Sequence, residues 1–166
     1  RPTTQAQFTM CKPESKLNGI TDILAYNHYF GWYMKTCEGL DEWLEKFRSV
    51  NPGLKMGISE YGAEGVLGYF SDDPVQGDYS EGYQAKYHEH YIKTINANDW
   101  IWGSYVWNMF DFGSAMRNEG GVKGRNNKGL VTFDRKTKKD AFYLYKAFWS
   151  DEKFLHLVGD RYPLRK

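Results

Sequence analysis

The feature that most constrains this chain is a repeated alternation between short apolar strand patterns and amphipathic helix patterns. Strand patterns are predicted at residues 3–9, 23–27, 55–60 and 101–107, and helix patterns at residues 40–47, 80–95 and 140–148. Alternation of this kind predicts parallel strands joined by helical crossovers. We therefore predict an α/β fold built from about four strand–helix units.

The chain length limits how much of such a fold is present. A complete (β/α)8 TIM barrel needs about 250 residues, whereas this chain has 166. We expect residues 1–150 to form the second half of such a barrel, corresponding to strands 5 to 8. Residues 151–166 then form a linker toward a following domain. Half a barrel has two open parallel edges, so we expect it to need the missing half or to pair with a second copy.

The charge and cysteine content exclude several classes of partner. The chain has 22 basic and 21 acidic residues, a net charge of +1, so we expect no nucleic-acid partner. No apolar run approaches the roughly 18 residues of a membrane span, so we expect a soluble chain without a membrane partner. The basic run at residues 135–139, RKTKK, is predicted to be a solvated turn. Cys11 and Cys37 are predicted to be free thiols, which favours the cytoplasm but leaves the compartment open.

One stretch of the sequence places a carboxylate at the predicted end of a strand. Residues 55–63, KMGISEYGA, lead from an apolar strand to Glu60, and Gly62 follows as a turn residue. In β/α barrels the loops that leave the C-terminal strand ends line the active-site pocket. Residues 104–112, SYVWNMFDF, place Trp107 at a comparable strand end. An acidic group together with an aromatic platform indicates a site that cleaves sugars.

Four stretches of the chain together carry a resemblance to a known family. They are YNHYFGWY at residues 26–33, SEYGA at 59–63, YVWNMFDFGS at 105–114 and NNKGLVTFDRKTKKDAFYLYKAFW at 126–149. In this order they resemble glycoside hydrolase family 2, and within it the β-galactosidases. The resemblance implies hydrolysis of terminal non-reducing β-D-galactose residues in a β-galactoside. It also implies that the remainder of the barrel and flanking β-sandwich domains are partners of this chain.

The resemblance assigns the residues that act on the glycosidic bond. It implies that Glu60 is the nucleophile of a retaining mechanism, and that Tyr29 places its hydroxyl close to that carboxylate. A phenol there stabilises the charged carboxylate by a hydrogen bond. Trp107 would stack on the apolar face of the sugar. A core tyrosine and a packing tryptophan are the structural alternatives for Tyr29 and Trp107.

Four further residues are expected to shape the sugar pocket. Asn126 and Lys128 form an Asn-x-Lys pair, which in the related β-glucuronidases grips the carboxylate of the substrate. A β-glucuronidase of the same family is therefore the alternative to a β-galactosidase. Asp111 and Arg117 are expected to border the pocket, or else to pair with each other as scaffold.

The chain also departs from the family pattern. The general acid/base belongs to an Asn-Glu pair in the missing half of the barrel, so we expect the isolated chain to be catalytically incomplete. The pair at residues 118–119 has the same letters but follows the last strand, and is not assigned that role. No metal ligand or cofactor is predicted here; where members hold a divalent cation such as magnesium, the missing half supplies the site. Ala63 stands where some galactosidases carry a sugar-binding histidine.

A different class of function remains as a second alternative, a non-catalytic carbohydrate-binding domain. It would use the aromatic side chains without Glu60. Trp32, Trp43 and Trp149 are assigned to packing. The sequence His88-Glu89-His90 is predicted to lie on the surface, because helix positions two apart face different directions.

Overall fold

The computed structural model describes residues 1–157, so residues 158–166 of the predicted linker lie outside the described residues. The chain divides into two compact units, residues 1–61 with 90–107 and residues 62–89 with 108 onward. The elements in chain order are β1 (Thr4–Phe8), β2 (Ile23–Asn27), α1 (Glu38–Val50), β3 (Met56–Tyr61), α2 (Glu81–Asn96), β4 (Ile101–Val106), β5 (Phe112–Gly113), β6 (Arg125–Asn126) and α3 (Asp140–Trp149). Within the described range, no helix has the length and hydropathy needed to cross a bilayer.

A four-stranded parallel sheet is the centre of the first unit. Its order is β1-β2-β3-β4, so each strand pairs with its neighbours in sequence. Four such strands are about half of the eight strands of a β/α barrel, which confirms the predicted fold class. A register shift after Tyr26 places Asn27 opposite Glu60. The ends of β2 and β3 therefore lie side by side.

Helix α1 covers one face of this sheet through an aromatic cluster. Its Leu40, Leu44 and Phe47 are spaced by four and three residues and are buried, as the helical pattern predicts. Trp43 stacks on Phe47 at 5.2 Å between ring centroids and meets the ring of Tyr26 edge-on at 4.7 Å. These contacts hold β2 against the helix and fix the strand that leads to Tyr29.

The second unit contains the start of α2, the β5–β6 hairpin and α3. The hydroxyl of Ser80 accepts the backbone N–H of Tyr83 at 3.0 Å, which confirms the predicted N-cap of α2. The prediction that Asp140 caps α3 is wrong, because Asp140 is the first helical residue and follows Lys139. The backbone N–H of Asp140 is instead accepted by the carboxylate of Glu81 at 3.2 Å.

Two predictions about burial on the helices are wrong. Trp149 is 66% exposed rather than buried in the core, because it lies in the last turn of α3, where its ring contacts that of Tyr145 at 4.7 Å between centroids. His88 is fully buried rather than on the surface, and its Nδ1 lies 2.9 Å from the hydroxyl of Tyr145. Burial lowers the pKa of His88 to about 3. Trp32 and Trp43 are buried as predicted.

Candidate active site

The carboxylate of Glu60 and the hydroxyl of Tyr29 meet at the ends of two neighbouring strands. Tyr29 donates to Glu60 Oε2 over 2.8 Å. The tyrosine is 8% exposed, while the glutamate is only half-buried. A hydrogen bond to a carboxylate stabilises its negative charge, and the remaining exposure leaves the group accessible. This pair therefore has the geometry of a supported nucleophile.

The backbone around Tyr29 is held tightly against β3. The backbone N–H of His28 donates to the carbonyl of Glu60 at 2.8 Å, which extends the strand pairing to the site. Gly31, two residues after the tyrosine, has a φ of 82°, a conformation that favours glycine. A Cβ at that position would also lie 2.4 Å from Cys37 Sγ. The turn after Tyr29 therefore depends on glycine.

Trp107 follows β4 and is partly accessible. Its backbone N–H donates to the carbonyl of Tyr61 at 2.8 Å, and the residue is 37% exposed. Trp102 of β4 differs, because its indole Nε1 donates to the carbonyl of Leu24 at 3.0 Å and its ring packs over Gly57. Trp107 is thus the better placed of the two for stacking on a ligand.

A buried carboxylate that the sequence analysis did not select, Glu64, is the centre of a charged cluster in the second unit. Its side chain is 2% exposed. It accepts the backbone N–H of Asn127 at 2.9 Å and the Nζ of Lys128 at 3.3 Å, and it also pairs with the guanidinium of Arg117. Arg117 further contacts the exposed carboxylate of Glu119 at 3.3 Å. We call Glu64, Arg117 and Lys128 the Glu64 cluster.

The Asn126–Lys128 segment forms a tight turn next to this cluster. The side-chain oxygen of Asn126 accepts the backbone N–H of Lys128 at 3.0 Å, which is a turn that asparagine favours. Both residues are buried, and the side chain of Lys128 is only 1% exposed. The position of the lysine ammonium is therefore set by its protein contacts.

Asp111 and Lys139 form a second buried ion pair in the same unit. Lys139 Nζ donates to Asp111 Oδ1 at 2.8 Å and to the carbonyls of Gly65 and Asn127 at 2.6 and 3.0 Å. Burial raises the pKa of Asp111 and lowers the pKa of Lys139, while their mutual attraction opposes both shifts. Gly129 N–H also donates to Asp111 at 2.9 Å. The ammonium of Lys139 thus links the three loops that contain Gly65, Asp111 and Asn127.

The predicted site residues fall into one group in each unit. Glu60, Tyr29 and Trp107 lie at the strand ends of the first unit, and Asn126, Lys128, Asp111 and Arg117 lie in the second. The alternative that Asp111 and Arg117 pair with each other is wrong. Each has a different buried partner of opposite charge.

Two buried charged residues of the second unit escaped the sequence analysis. Glu64 follows Glu60 by four residues, and its position just past a strand end was the available signal. Lys139 belongs to the basic run that was predicted to be a solvated turn, but it is completely buried, so this prediction is wrong at that residue. Its partner Asp111 precedes it by 28 residues, and no local pattern connects the two.

No cluster of three or more His, Cys, Asp or Glu side chains suited to a metal ion occurs among residues 1–157. Cys11 and Cys37 are not joined by a disulfide, as predicted.

Three known proteins that are similar to this chain are named β-glucuronidases. A curated β-glucuronidase from Bacteroides fragilis is 44% identical over 99% of this chain and 24% of its own length. A solved FMN-binding β-glucuronidase from Facaelibacterium prausnitzii L2-6 is 52% identical, with a TM-score of 0.92 over 97% of this chain and 25% of that chain. Bacteroides uniformis β-glucuronidase 2, solved covalently bound to cyclophellitol-6-carboxylate aziridine, is 37% identical, with a TM-score of 0.82 over 92% of this chain and 18% of that chain. The chain thus spans at most about a quarter of the length of these relatives.

The family itself is established by a match along most of the chain. Residues 9–153 match the model for glycosyl hydrolases family 2, TIM barrel domain. That range includes β2 to β4, all three helices and every predicted site residue. The chain therefore belongs to glycosyl hydrolase family 2, of which it carries part of the TIM barrel domain.

Proposed function

We propose that this chain is the nucleophile-bearing part of a retaining β-glucuronidase, which releases terminal β-linked glucuronate from its substrates. From the sequence alone, β-galactosidase is the first expectation and β-glucuronidase the alternative. The reverse order is supported by the three similar proteins described above, which are named β-glucuronidases at 37% to 52% identity; a further solved structure, at 39% identity, is named a putative β-galactosidase. The full-length protein that carries this chain is called the parent protein below.

The observation that carries the hydrolytic function is the 2.8 Å hydrogen bond from Tyr29 to Glu60. A Glu60 oxygen attacks the anomeric carbon, and the glycosidic C–O bond breaks with its electrons passing to the leaving oxygen. A general acid protonates that oxygen, and water later releases the sugar from Glu60. Tyr29 holds the carboxylate of Glu60 in place before attack, and Trp107 provides an apolar surface for the sugar ring.

The preference for a uronate is supported by the charges of the Glu64 cluster. Arg117 and Lys128 bring two positive charges to one carboxylate, Glu64. Guanidinium and ammonium groups are the donors that bind carboxylates best, so these two residue types suit a sugar that carries a carboxylate at C6. Asn126 maintains the turn that positions Lys128. Ala63, where some galactosidases carry a sugar-binding histidine, favours the same choice.

The proposed mechanism assigns the general acid to another part of the parent protein. A retaining glycosidase needs a second carboxylate within about 5.5 Å of the nucleophile. The family pattern has it on a strand that this chain does not include. Hydrolysis by two carboxylates requires no redox group, so we propose no cofactor for the step at Glu60.

The test is to trap the glycosyl-enzyme in the parent protein. The parent is incubated with an activated 2-deoxy-2-fluoro-glucuronide, its intact mass is measured, and the labelled peptide is mapped. The fluorine destabilises the oxocarbenium-like transition state, while a good leaving group reduces the need for the acid, so the intermediate accumulates. We expect one label, on Glu60. The Glu60→Gln variant is the matched control and should remain unlabelled.

The other outcomes separate the alternatives. A label on Glu60 only from the corresponding galactoside reagent would keep the nucleophile and restore the β-galactosidase interpretation. No label from either reagent, with sugar binding unchanged in Glu60→Gln, would favour the non-catalytic binding domain.

A further inference from the structure

The second unit contains a cavity that has no part in the proposed reaction. Its volume is about 370 Å³, and we call it the Arg125 pocket. Its apolar walls come from the loop after β3, the loop before β6 and the turn before α3, and they are formed by Val66, Leu67, Val122 and Phe133. Small-molecule sites have volumes of about 300 to 1,000 Å³, so this cavity suits a ligand of one or two rings.

A guanidinium lies at the edge of this pocket with its donors available. Arg125 is exposed, and its guanidinium lies over the ring of Phe133, 4.3 Å from the centroid. Within residues 1–157 this guanidinium has no ion pair and no hydrogen bond. The aromatic ring stabilises the cation through its face, while the N–H groups remain free to bind a carboxylate in a two-point contact.

The two carboxylates that line the pocket are already hydrogen-bonded. Asp111 accepts Lys139 Nζ at 2.8 Å, and Asp134 accepts the hydroxyl of Thr132 at 2.6 Å. Among the described residues, Arg125 is therefore the charged residue of the lining that lacks such a partner. A ligand with a negative charge would supply that partner.

The position of Arg125 is set by its strand. In the β5–β6 hairpin it pairs with Gly113, and its backbone N–H donates to the carbonyl of Val122 at 3.0 Å. Directly opposite residues of an antiparallel pair point to the same face. A Cβ at Gly113 would meet no atom within 4 Å, so the face of the hairpin that carries the Arg125 side chain is open at this point.

We propose that the Arg125 pocket binds a planar aromatic carboxylate of one or two rings. The rings pack between Val66, Leu67 and Val122, and the carboxylate accepts N–H donors from Arg125. Apolar walls with one charged donor are typical of small-molecule sites. A planar ligand is favoured because guanidinium and phenyl groups both stack on flat surfaces. This inference goes beyond the proposed function and does not rest on it.

The test is isothermal titration calorimetry of the parent protein with three probes of similar size. They are 2-naphthoate, its neutral amide 2-naphthamide, and the saturated acid decahydro-2-naphthoate. The wild type should bind 2-naphthoate with a millimolar or lower dissociation constant. It should bind the amide about 10-fold more weakly, because the ionic contact is lost, and the saturated acid at least about 3-fold more weakly.

Two variants separate the charge from the wall. Arg125→Gln should weaken binding of 2-naphthoate about 10- to 100-fold, the range of a lost charge-assisted contact, and change binding of the amide less than about 3-fold. Phe133→Leu should weaken both probes about 3- to 10-fold. Lys136→Gln is the matched control, since it removes an exposed positive charge from the same turn and should leave both dissociation constants near wild type.

The contradicting results are specific. Absence of 2-naphthoate binding up to about 10 mM, or an unchanged dissociation constant in Arg125→Gln, would overturn the proposal. An equal loss in Lys136→Gln and Arg125→Gln would attribute the binding to general charge and overturn it as well. Equal binding of the saturated acid would show that the ligand class is wrong. Labelling of Glu60 uses a different probe, so each proposal fails separately.

Discussion

At the scale of single residues, the surroundings of Tyr29 and His28 bear on two properties of the chain, its proposed reaction and its stability in acid. The hydroxyl of Tyr29 is committed to a carboxylate that the proposed reaction needs in its charged form. The imidazole of His28, one residue earlier, is fully buried, and neither ring nitrogen has a hydrogen-bond partner in the described part of the chain. The first environment belongs to the proposed catalytic pair, whereas the second lowers the stability of the folded chain in acid.

Replacing Tyr29 by Phe in the parent protein should lower kcat for an aryl glucuronide about 10- to 100-fold, because the supporting hydrogen bond to a charged group is lost. The loss should appear in kcat more than in KM, since the hydroxyl contacts Glu60. Steady-state kinetics measure both. Tyr69→Phe, at a residue that is 44% exposed, is the control and should remain near wild type. An unchanged kcat in Tyr29→Phe would remove the tyrosine from the mechanism.

Because His28 is buried, we expect the folded chain to lose stability in acid. Burial lowers its pKa from 6.5 to about 3, so below pH 6.5 the unfolded chain binds a proton that the folded chain does not. Stability is therefore complete above pH 6.5 and is lost as the pH falls toward 3. At pH 4.5 the loss amounts to about 3 kcal/mol.

The variant His28→Phe should remove that part of the acid sensitivity. A phenyl ring can keep the stacking on Tyr26 and Phe30 and has no nitrogen to protonate. Denaturant unfolding of the parent at pH 7 and pH 4.5 measures the effect. His88→Phe is the comparison, because it also removes a buried imidazole but loses the contact with Tyr145, and so should lower stability at pH 7. An identical acid loss in His28→Phe and wild type would contradict this account.

At the scale of elements, helices α2 and α3 differ in whether neighbouring residues in the sequence determine where the helix starts. The start of α2 follows from Ser80 and its neighbours, because an N-cap bonds only within its own first turn. The start of α3 does not, because its first N–H is accepted by Glu81, 59 residues earlier in the chain. Glu81 itself lies in the first turn of α2, so the beginnings of the two helices are coupled.

Ser80→Ala should accordingly destabilise the barrel by about 1 kcal/mol, the usual value of a lost N-cap. The Ser80 hydroxyl is buried and accepts the Tyr83 N–H at 3.0 Å, so water does not replace it easily. Denaturant unfolding of the parent measures the change. Ser49→Ala, within α1 and exposed, removes a hydroxyl that bonds only to the carbonyl of Lys46 and should stay within about 0.5 kcal/mol. Equal changes in the free energy of unfolding for the two substitutions would show that the N-cap hydrogen bond contributes no more than an exposed serine hydroxyl.

At the scale of the whole molecule, periodicity predicts the strands and the fold class, but not the charges that hold the loops. The strand that carries Glu60 and the position of Trp107 after β4 could be predicted, because both follow from apolar runs that end in turns. The contacts of Lys139 could not, since they reach back 74 residues to Gly65. A basic residue within a basic run gives no local sign of such a partner.

The exposed face of the sheet predicts that this chain works only together with the rest of its barrel. Ile23, Trp102 and Tyr105 line a trough on the sheet and are 36%, 42% and 59% exposed, an apolar surface of the kind that marks a missing contact. The chain alone should not hydrolyse an aryl glucuronide. Co-expression with the N-terminal remainder of the parent should restore turnover and shift the emission of buried tryptophan to shorter wavelength.

The same pair of fragments with Glu60→Gln should assemble and give the fluorescence shift without turnover, which separates association from catalysis. Robust turnover by the isolated chain would mean that it contains its own general acid, and the two-part mechanism would then be wrong. Assembly without turnover in the wild-type pair would instead place the defect in the alignment of the two carboxylates, which must come within about 5.5 Å of each other for retention.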